Sequence, residues 1–141
     1  MTLTADNSQA EDRARARVRL SWREKFRVAF RGLKLGMRGH SSFAVHFFFM
    51  AVVIAAAIVL QCELWRWCVL LGCIAFVLTA ELFNSAIETL FQGLDEPTKT
   101  KTWPALDVAA GGVLFASLSA ALIGGLVLLS RLATLLRLVE P

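Results

Sequence analysis

Residues 69–92 read VLLGCIAFVLTAELFNSAIETLFQ, and the two halves of this stretch obey different rules. Residues 69–78 contain no acidic, basic or histidine residue, whereas residues 81–88 contain Glu81, Asn84, Ser85 and Glu88. Those four stand at i, i+3, i+4 and i+7, the spacing of neighbours on one helix face. Gln92 extends that face by another turn. An apolar run this long suits a helix crossing a bilayer core of ~30 Å. An ionised side chain in hydrocarbon costs roughly 3 kcal/mol on insertion scales. Two carboxylates and an amide on one stripe must therefore face protein, water, a metal or a substrate, never lipid. Glue between helices accounts for a single Asn or Ser; two Glu residues with an Asn between them point to a site.

Outward from this segment lie two more apolar runs, at residues 43–60 and 105–129, with the central span read as 65–91. Pro104 is read as a first helical position and Trp103 as an interfacial anchor. Upstream, Trp22, Phe26, Phe30, Leu33 and Met37 recur at helical steps, with Arg23, Arg27, Arg31, Lys34 and Arg38 on the neighbouring face. Such a helix fits the membrane interface, aromatics towards the acyl chains and cations towards the headgroups. The expected fold is an all-α integral membrane protein with an amphipathic interfacial helix and three transmembrane helices. The expected organisation is a polar tail at 1–17, the surface helix at 18–38, a three-span domain at 39–130 and a short tail at 131–141.

Composition agrees. The chain has 141 residues, is 57% hydrophobic and only 18% charged, below the quarter or so usual for soluble domains. Ten of the fifteen Lys and Arg residues lie between positions 13 and 38. The net charge of +4 is read as membrane flanking and contact with anionic lipid, not as a nucleic-acid surface. The first forty residues lack the apolar core of a cleaved leader. Cys62, Cys68 and Cys73 fit no metal spacing and are read as apolar filler. Lys99 and Lys101, assigned to the second loop, join the ten basic residues of the amino-terminal arm. The first loop holds Arg66, and the tail Arg131 and Arg137. This imbalance places the amino terminus and second loop in the cytoplasm. On span three, Gly112, Ala116, Ala120 and Gly124 form a ladder of small residues suited to close helix approach.

Asp107, assigned to the first turn of span three, is the remaining acid near the site, where a helix amino terminus favours negative charge. The run Glu81-Leu-Phe-Asn84-Ser85-Ala86-Ile87-Glu88, followed by Asp107 and Val108-Ala-Ala-Gly-Gly, resembles the signature of the prokaryotic diacylglycerol kinases and undecaprenol kinases. The resemblance extends back through His46 and Phe43 to Gly32-Leu33. It implies a homotrimer of three-span subunits in the bacterial inner membrane, transferring the γ-phosphate of ATP to the hydroxyl of diacylglycerol or undecaprenol. By this resemblance Glu81 is the general base and touches the lipid, and Ala110 belongs to the lipid site. Glu88 holds Mg²⁺, Asn84 orients the site, and Asp107 lies in the nucleotide pocket. His40 stands where the family has a second metal-binding Glu, Gln92 where an Asp is common, and Leu106 where a Lys precedes the Asp. Arg31, Lys34, Arg38, Lys99 and Lys101 are the cations available in place of that Lys. The alternatives are a non-catalytic protein that kept the fold, and a small proton-coupled transporter. The stretch at 69–78, with no acidic, basic or histidine residue, argues against a conduit.

Overall fold

The computed structural model describes residues 21–37 and 41–137; the tail at 1–17, Arg38, His40 and residues 138–141 lie outside them. Four helices follow in order: α1 (Trp22–Met37), α2 (Ser41–Val59), α3 (Leu64–Gln92) and α4 (Glu96–Arg137), with no strand among the described residues. The chain divides into two compact units, Met1–Leu35 and Gly36–Pro141.

In the first unit, α1 begins with a reciprocal cap. The Ser21 backbone N–H donates to Glu24 Oε2 at 2.9 Å, and the Glu24 N–H faces Ser21 Oγ at 3.4 Å. Ser21 and Glu24 are three apart, the spacing of a capping box. The Ser21 backbone N–H, and after it the Ser21 hydroxyl, which also donates to Oε2 at 2.9 Å, hold the Glu24 carboxyl below its ordinary value. Trp22, Phe26, Phe30 and Leu33 are all exposed, and no α1 residue is buried. Lys25 Nζ sits 5.0 Å from the centre of the Trp22 ring, within cation–π range.

In the second unit, α2, α3 and α4 are each long and apolar enough to cross a membrane. The α3–α4 pair forms the main packing interface, with α2 laid more lightly against both. Among the described residues, Leu70, Ala57, Phe43 and Ala116 are the buried hydrophobic ones. The small-residue ladder works over part of its length. Ala116 and Gly124 are buried, and a Cβ on Gly124 would stand 3.5 Å from Leu70 Cδ2. A Cβ on Gly112 would meet nothing within 4 Å outside its own helix backbone, and Gly112 is exposed.

The start of α4 corrects three expectations. The helix begins at Glu96, about two and a half turns before Ala105, so Pro104 is interior. The true start signal is Asp95-Glu96-Pro97: the Lys99 N–H bonds the Asp95 carbonyl at 2.9 Å, and Pro97 sits in the first turn, where a missing N–H costs nothing. A hydrogen bond from Thr98 holds the Asp95 carboxyl below its usual range. Lys99 and Lys101 therefore lie on the first turns of α4 and not in a loop, with Lys99 Nζ 2.9 Å from Glu96 Oε1. Asp107 sits about three turns into the helix, beyond the field of its first turn.

A polar cluster fastens the other end of the bundle. α2 ends in a Schellman turn, with Gln61 at φ 50° and the Cys62 N–H bonded to the Ala57 carbonyl at 3.0 Å. Arg131 from α4 donates to the Leu60 and Gln61 carbonyls, each at 3.0 Å, and approaches Glu63 Oε1 at 2.7 Å. Arg66 is only 9% exposed. Its Nε meets Glu63 Oε2 at 2.6 Å, and one terminal nitrogen reaches the Val127 carbonyl and Ser130 Oγ at 2.8 and 2.6 Å. Glu63's own backbone N–H, then the Arg66 hydrogen bond and the charge of Arg131, hold its carboxyl below the ordinary 4.5.

Candidate active site

The stripe predicted on the central helix forms on α3. Glu81 is 2% exposed, Asn84 and Ser85 are also buried, and Glu88 is half-buried. The rise of ~1.5 Å per residue separates Glu81 and Glu88 by about 10 Å along the axis. Gln92, one turn beyond Glu88, is exposed, so the buried stripe ends before it.

Two residues of α2 reach Glu81. The Ser42 hydroxyl donates to Glu81 Oε1, and His46 Nε2 lies 3.6 Å from Glu81 Oε2. The first turns of an otherwise apolar span thus carry the polar groups that receive the buried acid. One helical turn on, the Asn84 amide donates from Nδ2 to Glu88 Oε1 at 2.7 Å. Asn84 Oδ1 and Ser85 Oγ are buried without a hydrogen-bond partner among the described residues. A buried acceptor left unmatched costs about 1–3 kcal/mol, so each calls for an explanation such as a bound water, an ion or a catalytic role.

A groove of about 430 Å³ runs from His46 between the three long helices. Its wall is apolar apart from His46 and Ser117, and includes Phe49, Leu70, Val77 and Gly124. His46 therefore faces both the groove and Glu81.

The structure brings together Glu81, Asn84, Ser85 and Glu88, and adds Ser42, whose role the sequence left unread, and His46, noted there only for its position. It leaves Asp107 and Ala110 exposed on α4. His40 lies outside the described residues. The signal for His46 and Ser42 was present as polar side chains at the entry to an apolar helix. Their pairing with Glu81 depends on the α2–α3 register, which no local pattern shows. The cysteines are free, and among the described residues no three His, Cys, Asp or Glu side chains gather to hold a metal. Mg²⁺ requires no such cage, since it binds through one or two carboxylates together with phosphate oxygens and water. Glu88, steadied by Asn84 beside an unmatched Oδ1, fits that partial donor set.

Three membrane-crossing helices around a buried acid on the middle one define a small multi-pass membrane protein with a polar site in its apolar slab. This chain belongs to the prokaryotic diacylglycerol kinase family, whose model matches residues 27–128. It is 34% identical over 116 residues to a diacylglycerol kinase of Synechocystis sp., a match covering 79% of this chain and 64% of that relative. The chain thus spans less than two thirds of the relative's length. No solved structure matches significantly.

Proposed function

We propose that the protein is an ATP- and Mg²⁺-dependent lipid kinase, transferring the γ-phosphate of ATP to the hydroxyl of diacylglycerol, with undecaprenol the second candidate. The observation that carries this reading is the burial of Glu81 on the same α3 face as the Asn84–Glu88 pair. A carboxylate withdrawn from water at membrane depth is a functional group by default. Phosphoryl transfer asks of a protein mainly positioning, neutralisation of charge and a base on the attacking hydroxyl.

In this reading Glu81 accepts the proton of the lipid hydroxyl. Glu88, oriented by Asn84, holds the metal at the nucleotide phosphates. Mg²⁺ bound there would supply positive charge to offset the phosphate oxygens. Asn84 Oδ1 and Ser85 Oγ present acceptor and hydroxyl to the bound substrates. Asp107 and, from outside the described residues, His40 serve the nucleotide side, and Ala110 the lipid side. The basic arm and α1 lie at the cytoplasmic interface, where ATP is available, and residues 39–130 form the kinase domain. The bacterial inner membrane is the expected location, with the amino terminus inside and three subunits assembled as a homotrimer.

The test is direct. The full chain in detergent receives labelled ATP, Mg²⁺ and either diacylglycerol or undecaprenol. Label on lipid is expected, with Glu81→Gln lowering the rate by about 10²–10⁴-fold, the usual worth of a general base, and Glu88→Gln raising the Mg²⁺ requirement. A folded chain that labels neither lipid supports a non-catalytic protein of this fold instead.

A further inference from the structure

The geometry points to a proton path out of the site: Ser42 and His46 of α2 are positioning residues that fix Glu81, and His46 Nε2 removes the proton that Glu81 takes from the lipid hydroxyl. This rests on the lipid-kinase reading and adds the step that resets the base.

A carboxylate has two oxygens to place. Oε1 of Glu81 is capped by the Ser42 hydroxyl, which leaves Oε2 to take up a proton, and Oε2 is the oxygen beside His46 Nε2 at 3.6 Å. As the lipid O–H bond breaks and the new O–P bond forms, the P–O bond to ADP breaks with its electron pair leaving on ADP. The proton goes to Glu81 Oε2. Glu81 is 2% exposed, so its return to carboxylate requires a neighbour. His46 is that neighbour: neutral imidazole accepts a proton through an unprotonated ring nitrogen, and its side chain is 17% exposed. Transfer requires the pair to close from 3.6 Å to hydrogen-bond length. The proton then passes from His46 to water. Among the described residues that line the groove with His46 none carries a charge: α4 contributes Ser117, Leu118, Ala120, Ala121 and Gly124 there.

The experiment compares the first turnover with the steady state, using full-length protein, diacylglycerol and Mg·ATP. Gln at position 46 can offer its amide oxygen to a protonated Oε2 as an unprotonated ring nitrogen does, yet has no basic nitrogen to carry the proton away. His46→Gln is therefore expected to keep its first-turnover rate within about threefold of the parent while steady-state kcat falls at least about tenfold and both KM values stay within about twofold. Added imidazole is expected to restore turnover in His46→Ala. A purely structural role lowers the first turnover as much as the steady state and shows no rescue; either that pattern or a parental kcat in His46→Gln overturns the proposal. Where the Gln variant does not fold, His46→Asn is read the same way. Glu81→Gln keeps the two claims apart. A dead Glu81→Gln beside a parental His46→Gln removes the proton path and leaves the kinase intact. A parental Glu81→Gln, or a parent that labels no lipid, overturns both.

Discussion

At the scale of single residues, Arg66 shows how a charge counted for topology becomes structural. It reads in the sequence as one cation in a short loop. In the fold it is buried and divides its donors among Glu63, the Val127 carbonyl and Ser130. Hydrogen bonds to a charged group contribute about 1.5–3 kcal/mol. Arg66→Met, keeping the aliphatic bulk, is expected to cost about 2 kcal/mol and to lower the thermal midpoint in detergent; an unchanged midpoint shows the cluster idle. Glu63 adds a dependence on pH. Its folded carboxyl titrates below the ordinary 4.5, so its contribution is complete above that value and is lost as pH falls through the lower folded one. The thermal midpoint should drop below about pH 4.5, and the drop should be shallower in Glu63→Gln. Midpoint curves that superimpose would remove Glu63 from the acid response.

At the scale of elements, the α3–α4 contact makes a graded claim. A methyl on Gly124 meets Leu70 at an ordinary 3.5 Å, so Gly124→Ala should be nearly neutral, whereas Gly124→Leu overfills the interface by about 1–3 kcal/mol. Gly112→Ala is the control, since open space surrounds it. Differential scanning of the three variants decides, and a Leu variant as stable as the parent would mean the helices do not meet there. These elements also show what was legible beforehand. The spans read at 43–60 and 65–91 announced α2 and α3 because hydrocarbon allows few alternatives to a helix. The face shared by Glu81, Asn84, Ser85 and Glu88 followed from helix periodicity alone. The start of α4 was misplaced because Pro104 beside Trp103 resembles a helix entrance, and the Asp95–Pro97 cap outranks it. Ser42 and His46, together with the Arg66–Glu63–Arg131 cluster, were invisible as partners because each is a contact between helices.

At the scale of the molecule, helix length separates the three spans. At ~1.5 Å per residue, α2 with 19 residues is about 28 Å long, α3 with 29 about 43 Å and α4 with 42 about 63 Å. Against a hydrocarbon core of ~30 Å, α3 and α4 overhang, while α2 has no slack. α2 is also tied at both ends, by Ser42 and His46 to Glu81 and by Arg131 at the Leu60 and Gln61 carbonyls. A short rope made fast at both ends registers any stretch of the deck. Thickening the bilayer pulls on α2 before the other helices feel it, and the strain arrives at the oxygens of Glu81. Lipid phosphorylation in vesicles of increasing acyl length should therefore decline once the core exceeds α2 by a few Å, while fold stability changes little. Rates indifferent to chain length would show that α2 rides loose in its moorings.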